Sequence, residues 1–216
     1  MGFSEDQGAL ARQALCAVMA GIHSRGWCDG TGGNFSSVLN REPLVLLMAP
    51  SGVDKGLVAP QDLIKVDGDG QLLAGGGKPS AETLLHLAIV KSQGAGAVLH
   101  THSQAATLLS KLACPSGESS GWIKVTGLEM LKGLEGIKSH EEEVKIPVLA
   151  NDQDLKRLSA AAQPFLPGAP HGLLIAGHGL YAWGANLQVA KRHLEILEFL
   201  LDHLWREQLL MTRLKP

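Results

Sequence analysis

His100 and His102 stand one residue apart at the end of the apolar run "GAVLHTH", and His178 sits between Gly177 and Gly179 in "LLIAGHGLYAWG". Successive side chains of a β-strand alternate faces, so His100 and His102 point together while Thr101 points away. Two imidazoles on one face can share a metal, and they can equally pack as cross-strand neighbours. A third histidine favours the metal. His178 falls in a tight turn between two apolar strands, where flanking glycines let the backbone bend closely around whatever the ring holds. Three histidines match the ligand count of a catalytic zinc, which keeps a fourth position open for water or substrate. The remaining histidines, His23, His86, His140, His171, His193 and His203, lie on helices or near loops and read as structural or solvated.

Alternating helices and strands must position these residues. "SEDQGALARQALCAVMAGIHSRG" opens with a capping-box pattern from Ser4 to Gln7 and carries Leu10, Ala14, Ala17, Val18 and Ile22 at helical spacing, which predicts a helix ending near Gly26. "GTGGNFSSVL" with "PLVLLMA" reads as one hairpin, and "LIKVDGDGQLL" as another around an Asp-Gly turn. "PSAETLLHLAIVKSQ" reads as a helix. The histidine strand follows, then a helix from about Ser103, a loop rich in Gly and Ser, and a helix over "GLEMLKGL". Strand "VKIPVLA", helix "DQDLKRLSAAA", strands "GLLIAG" and "LYAWG", and a long helix from about Asn186 to Leu210 complete the chain. No internal repeat or linker divides it. The predicted fold is α/β: a single three-layer domain over 1–216, with helices on both faces of a central mixed, largely antiparallel sheet.

A formal charge of only −2 over 216 residues advertises neither nucleic acid nor an anionic membrane, so any anionic ligand must be held locally. Cys16, Cys28 and Cys114 are odd in number and far apart, and there is no run of eighteen apolar residues and no signal-like start. A reduced, soluble, cytoplasmic protein is expected.

"GTGGNFS", "APSGVDKG", "KPSAET", "AVLHTHS" and "GHGLYAWG" occur in the order and spacing of the class II aldolase and adducin family, which the chain resembles along nearly its whole length. "PSGVDKG", "KPSAETLLH", "LEMLKG" and "NDQD" are most similar to the branch that dehydrates 5-methylthioribulose 1-phosphate in methionine salvage. The resemblance implies a class II aldolase-like fold, one zinc ion per subunit held by His100, His102 and His178, and a sugar-phosphate substrate. It also implies a cyclic homotetramer with active sites at subunit interfaces. The last helix, carrying more apolar residues than one packing face requires, fits such an assembly.

The same resemblance places two carboxylates. Glu129 of "LEMLKG" matches the acid/base glutamate of the dehydratases, and Glu82 of "KPSAET" matches the catalytic and sometimes metal-binding glutamate of the aldolases. Glu129 is the expected base, with Glu82 as a secondary acid/base or a group beside the metal. Gly33, Asn34, Ser51, Gly52 and Ser80 match phosphate-binding positions, and Lys55 is added for its charge. Glycine-rich turns free backbone N–H groups to approach an anion, and a helix N-terminus favours negative charge. Two positions depart from the pattern. Ala81 replaces a serine used by the fuculose aldolase, and Gly127 stands where relatives carry a polar or aromatic residue. Aldol cleavage of a ketose 1-phosphate, and a non-catalytic adducin-like scaffold, are the alternative functions.

Overall fold

The computed structural model describes residues 5–213; Ser4, and with it the expected capping box, lies outside the described residues. The chain runs α1 (Glu5–His23), β1 (Asn34–Arg41), β2 (Leu44–Met48), β3 (Ile64–Asp67), β4 (Leu72–Ala74), α2 (Thr83–Gln93) and β5 (Ala97–Thr101). It continues with α3 (Gln104–Ala113), β6 (Ser120–Val125), β7 (Val144–Leu149), α4 (Leu155–Ala162), β8 (Gly172–Ile175), β9 (Gly179–Gly184) and α5 (Leu187–Arg213). The strands form one sheet in the order β4-β3-β2-β1-β5-β9-β8-β7-β6. Every neighbouring pair is antiparallel except β7 and β8. The mixed, mainly antiparallel sheet expected from the sequence is therefore present.

The central strands are buried throughout, and the alternate facing of their side chains divides the core in two. Ala97 and Leu99 of β5, with Leu180 and Ala182 of β9, pack among Leu15, Val18, Met19 and Ile22 of α1 and Leu194, Leu197 and Leu201 of α5. Val98, Tyr181 and Trp183 face the opposite layer, with Leu85 and Ile89 of α2 and Leu158 of α4. Period-two alternation thus sends His100 toward α2 and Thr101 toward α5.

Two sequence expectations differ from the structure. The stretch read as part of a Gly/Ser loop contains β6, which pairs in register with β7 from Ser120–Leu149 to Val125–Val144. Its alternation is confined to "WIKV", where only Ile123 and Val125 are buried, and Gly121 passes so close to α3 that an added Cβ would lie 1.9 Å from the Ala113 carbonyl oxygen. The helix expected over "GLEMLKGL" is a single 3₁₀ turn, Glu129–Gly133. Gly127, at φ +77°, ends the preceding backbone direction, and the few residues left are too short a run to propagate an α-helix.

Candidate metal centre

The antiparallel register of β5 and β9 places His100 opposite Tyr181, and the turn before β9 carries His178 to the same end of the sheet. Gly179 permits this approach, since a Cβ there would meet the Thr101 carbonyl oxygen at 1.9 Å. His102 lies one residue beyond the last ladder position of β5, and its backbone N–H donates to the Trp27 carbonyl at 2.7 Å. Gly32 leaves room for its ring, because a Cβ at that position would lie 2.9 Å from His102 Nδ1.

The three rings present the same atom to one point. His100 Nε2 lies 2.9 Å from His102 Nε2 and 3.4 Å from His178 Nε2. His100 Nδ1 is 3.0 Å from the Leu180 carbonyl, which can only accept, so the proton resides on Nδ1 and the lone pair on Nε2. Burial, joined by the neighbouring imidazoles, holds His100 well below the usual histidine range, and burial lowers His102 to about 4. The His100 lone pair thus points to where the other two Nε2 atoms converge, the arrangement a shared cation needs. Tetrahedral coordination at about 2.0–2.1 Å separates ligand nitrogens by roughly 3.3–3.4 Å; the His100–His178 pair at 3.4 Å matches this and the His100–His102 pair at 2.9 Å is tighter, while the all-imidazole donor set suits a first-row divalent metal.

Glu82 completes the ring of donors. Its Oε1 lies 3.1 Å from His178 Nε2 and 3.6 Å from His100 Nε2, and its Oε2 accepts a short hydrogen bond from the Asn34 amide. Burial raises its pKa, opposed by His178, Tyr181 and Lys55. Behind the metal-facing side, the Tyr181 ring stacks on His100 at 3.9 Å and 12°, and its buried hydroxyl turns toward the Glu82 carboxylate. Burial, with the charge of Glu82, pushes that phenol well above 10.

The expected phosphate residues gather beside Glu82. Ser80 Oγ accepts from the Glu82 N–H at 3.3 Å, and Ser51 N–H donates to the Lys78 carbonyl at 2.8 Å, drawing the 50–56 loop onto the approach to α2. Ser51 and Gly52 are exposed. Gly33 has φ +77° and approaches the His100 carbonyl so closely that a Cβ would lie 2.7 Å away. Lys55 is buried, and its Nζ donates to the carbonyls of Thr31 and Val53 at 3.0 and 2.8 Å. It therefore pins the glycine-rich turn, and burial lowers its pKa.

Glu129 is not brought to the histidines within the chain. It stands on the exposed 3₁₀ turn, paired with Lys132 and lying 3.9 Å from His140 Nδ1. Exposed Met130 and Phe199 border it.

A second histidine group, Glu135, His171 and His193, offers poorer prospects for a metal. His193 Nδ1 bonds the Trp183 carbonyl, its Nε2 already faces the Glu135 N–H, and Arg192 lies 3.8 Å from the Glu135 carboxylate. His86 is a core residue, bonded to Ser36 Oγ at 2.7 Å and lowered by burial to about 3.

Sequence reasoning did not single out the Asn34–Glu82 bond, the stacked Tyr181 or the buried Glu198, whose carboxylate accepts from Thr101 Oγ. Tyr181 left one available signal: it is the lone tyrosine of the chain, set between strand-forming residues of "GLYAWG".

A profile of the Class II Aldolase and Adducin N-terminal domain family matches residues 13–205. The chain is 40% identical over 212 residues to a Methylthioribulose-1-phosphate dehydratase of Pseudomonas fluorescens, covering 95% of this chain and 99% of that protein. It is 43% identical over 192 residues to one of Granulibacter bethesdensis, covering 87% and 88%. Among solved structures, YgbL from Escherichia coli superposes with a TM-score of 0.75 at 29% identity, covering 92% and 89% of the two chains. The L-fuculose-1-phosphate aldolase of Thermus thermophilus gives 0.75 at 24% identity, covering 95% and 98%, and shares the fold.

Proposed function

The chain belongs to the class II aldolase and adducin family, and from that premise we propose that it is a zinc-dependent hydro-lyase converting 5-methylthioribulose 1-phosphate to 5-methylthio-2,3-dioxopentyl 1-phosphate. The reaction is a step of methionine salvage. The observation that carries the reading is the 40% identity to a named dehydratase over 95% of this chain, a span that takes in the whole histidine site. A cytoplasmic location belongs to the same reading, and the three cysteines are free thiols; among the described residues no helix is long and apolar enough to cross a membrane.

In this reading Gly33, Asn34, Ser51, Gly52 and Ser80 line the phosphate end of the substrate, and Lys55 anchors the turn that presents them. His100, His102 and His178 would hold zinc, with Glu82 beside them. Once bound, the ion would supply Lewis acidity, favouring negative charge on the substrate oxygens. Glu129 removes the C3 proton, and the C–H electron pair forms the C2–C3 double bond. Departure of the C4 hydroxyl as water, protonated by an acid, shifts the double bond to C3–C4. Tautomerisation of the resulting enol yields the 2,3-diketone.

Glu129 is exposed and bordered by exposed apolar side chains, as a residue completing a neighbouring subunit's site would be. The proposed assembly is therefore a homotetramer in which one subunit's Glu129 serves the histidine centre of the next. Stripping the purified protein of metal is expected to abolish diketone formation, and zinc to restore it; full activity of metal-free protein would overturn the metal's role.

A further inference from the structure

Glu198, on α5, is 1% exposed amid a helix face otherwise built from Leu194, Leu197 and Leu201. Burying a carboxylate costs free energy unless hydrogen bonds replace its water, so its partners matter. Those partners are hydroxyls from the segment that carries the metal ligands. Thr101 Oγ1 donates to Glu198 Oε1, and the Ser103 side chain bonds the same carboxylate. Burial pushes the Glu198 carboxyl up to about 7 despite both hydroxyls.

His102 needs such support. β5 ends at Thr101, so the sheet ladder does not fix the following residue. Its backbone N–H donates instead to the Trp27 carbonyl at 2.7 Å. On one side of it, Thr101 turns its side chain through the sheet toward α5. On the other, Ser103 caps α3, its Oγ accepting from the Ala106 N–H at 3.1 Å. A hydroxyl that accepts from Ala106 and donates to Glu198 has both kinds of bonding capacity in use.

We propose that Glu198 is a positioning residue of the metal centre: by holding Thr101 and Ser103 from the opposite face of the sheet, it fixes the backbone on both sides of His102 and thereby aims that imidazole at the metal. The inference rests on the reading of the three histidines as metal ligands. It assigns α5 a part in metal retention although the three converging imidazoles come from elsewhere in the chain.

Zinc affinity, measured by competition with a chromophoric chelator, tests the clamp without any assay of turnover. Loss of groups that orient metal ligands typically weakens binding about 10–100-fold. Glu198→Leu, which keeps apolar bulk and removes the acceptor, is expected to weaken zinc binding by that factor. Glu198→Gln, whose carbonyl can still accept from both hydroxyls, is expected to remain within about threefold of wild type. If Glu198→Leu does not fold, Thr101→Val is read in its place and is expected to weaken zinc about tenfold. Wild-type zinc affinity in the folded Leu or Val variant, even with a lowered Tm, would reduce Glu198 to a packing residue and overturn the proposal. Equal losses in the Leu and Gln variants would also overturn it. A wild type that binds no zinc would refute the metal reading and the clamp together.

Discussion

At the residue scale, two carboxylates divide between metal and proton, and their variants should separate. Glu129→Gln keeps side-chain shape but cannot take the C3 proton. Its kcat is expected to fall about 10²–10⁴-fold with zinc content unchanged. Glu82→Gln, at a group 3.1 Å from His178 Nε2, is expected to lose zinc affinity and to cost less in kcat once zinc is saturating. Metal analysis beside steady-state kinetics checks both, and the reverse pattern would exchange their roles. Glu198 offers a separate test through pH. Its folded pKa of about 7 lies above the ordinary 4.5, so the folded chain binds the proton more tightly than the unfolded one. Stability present below about 4.5 is therefore lost as pH rises through about 7. Glu198→Gln has no proton to lose, so in zinc-free protein its Tm relative to wild type should climb between these values and then level off; parallel curves would contradict the buried acid. The gathering of the three histidines was legible because strand alternation puts His100 and His102 on one face and the glycine-flanked turn carries His178 to them. Tyr181, the Asn34–Glu82 bond and Glu198 were not, since each depends on which strands are neighbours and which face a side chain takes.

At the element scale, the centre depends on how closely β5 and β9 run. A Cβ on Gly179 would strike the Thr101 carbonyl, and one on Gly33 the His100 carbonyl. Gly179→Ala is expected to lower Tm by roughly 2–12 °C, the range that overpacking costs of about 1–3 kcal/mol produce in a chain of this size. It should also weaken zinc, because displacing β9 from β5 carries His178 away from His100. Thermal melts with zinc titration check this, and an unchanged zinc affinity would show that the turn tolerates the shift. Most elements could be read from periodicity, including both N-terminal hairpins, the histidine strand and the long α5. β6 escaped because its buried face reduces to Ile123 and Val125 after a Ser-Gly start. The turn over Glu129 was mistaken for a helix because its apolar spacing is helical, while Gly127 and Gly133 confine it to one 3₁₀ turn.

At the scale of the whole molecule, the exposed apolar side chains of Phe199, Leu209, Leu210 and Met211 on α5, with Met130 beside Glu129, accord with a surface that subunits cover. Light scattering is expected to give the mass of four chains at micromolar concentration, and a monomer would refute the assembly. Subunit mixing then locates the base. His178→Ala lacks a metal ligand and Glu129→Gln lacks the base, so each homo-oligomer should be inactive. Co-assembled oligomers should regain part of the activity where an intact histidine centre meets an intact Glu129 of a neighbour. Verified mixed oligomers without activity would return Glu129 to its own chain. The most direct measurement of the central claim is product analysis by NMR after zinc-loaded wild-type protein is offered 5-methylthioribulose 1-phosphate and, separately, fuculose 1-phosphate. The expected result is one water lost per turnover of the first, giving the 2,3-diketone phosphate with the carbon chain intact, and no cleavage of the second. Formation of dihydroxyacetone phosphate from either sugar, with no diketone, would contradict dehydration and make the protein an aldolase.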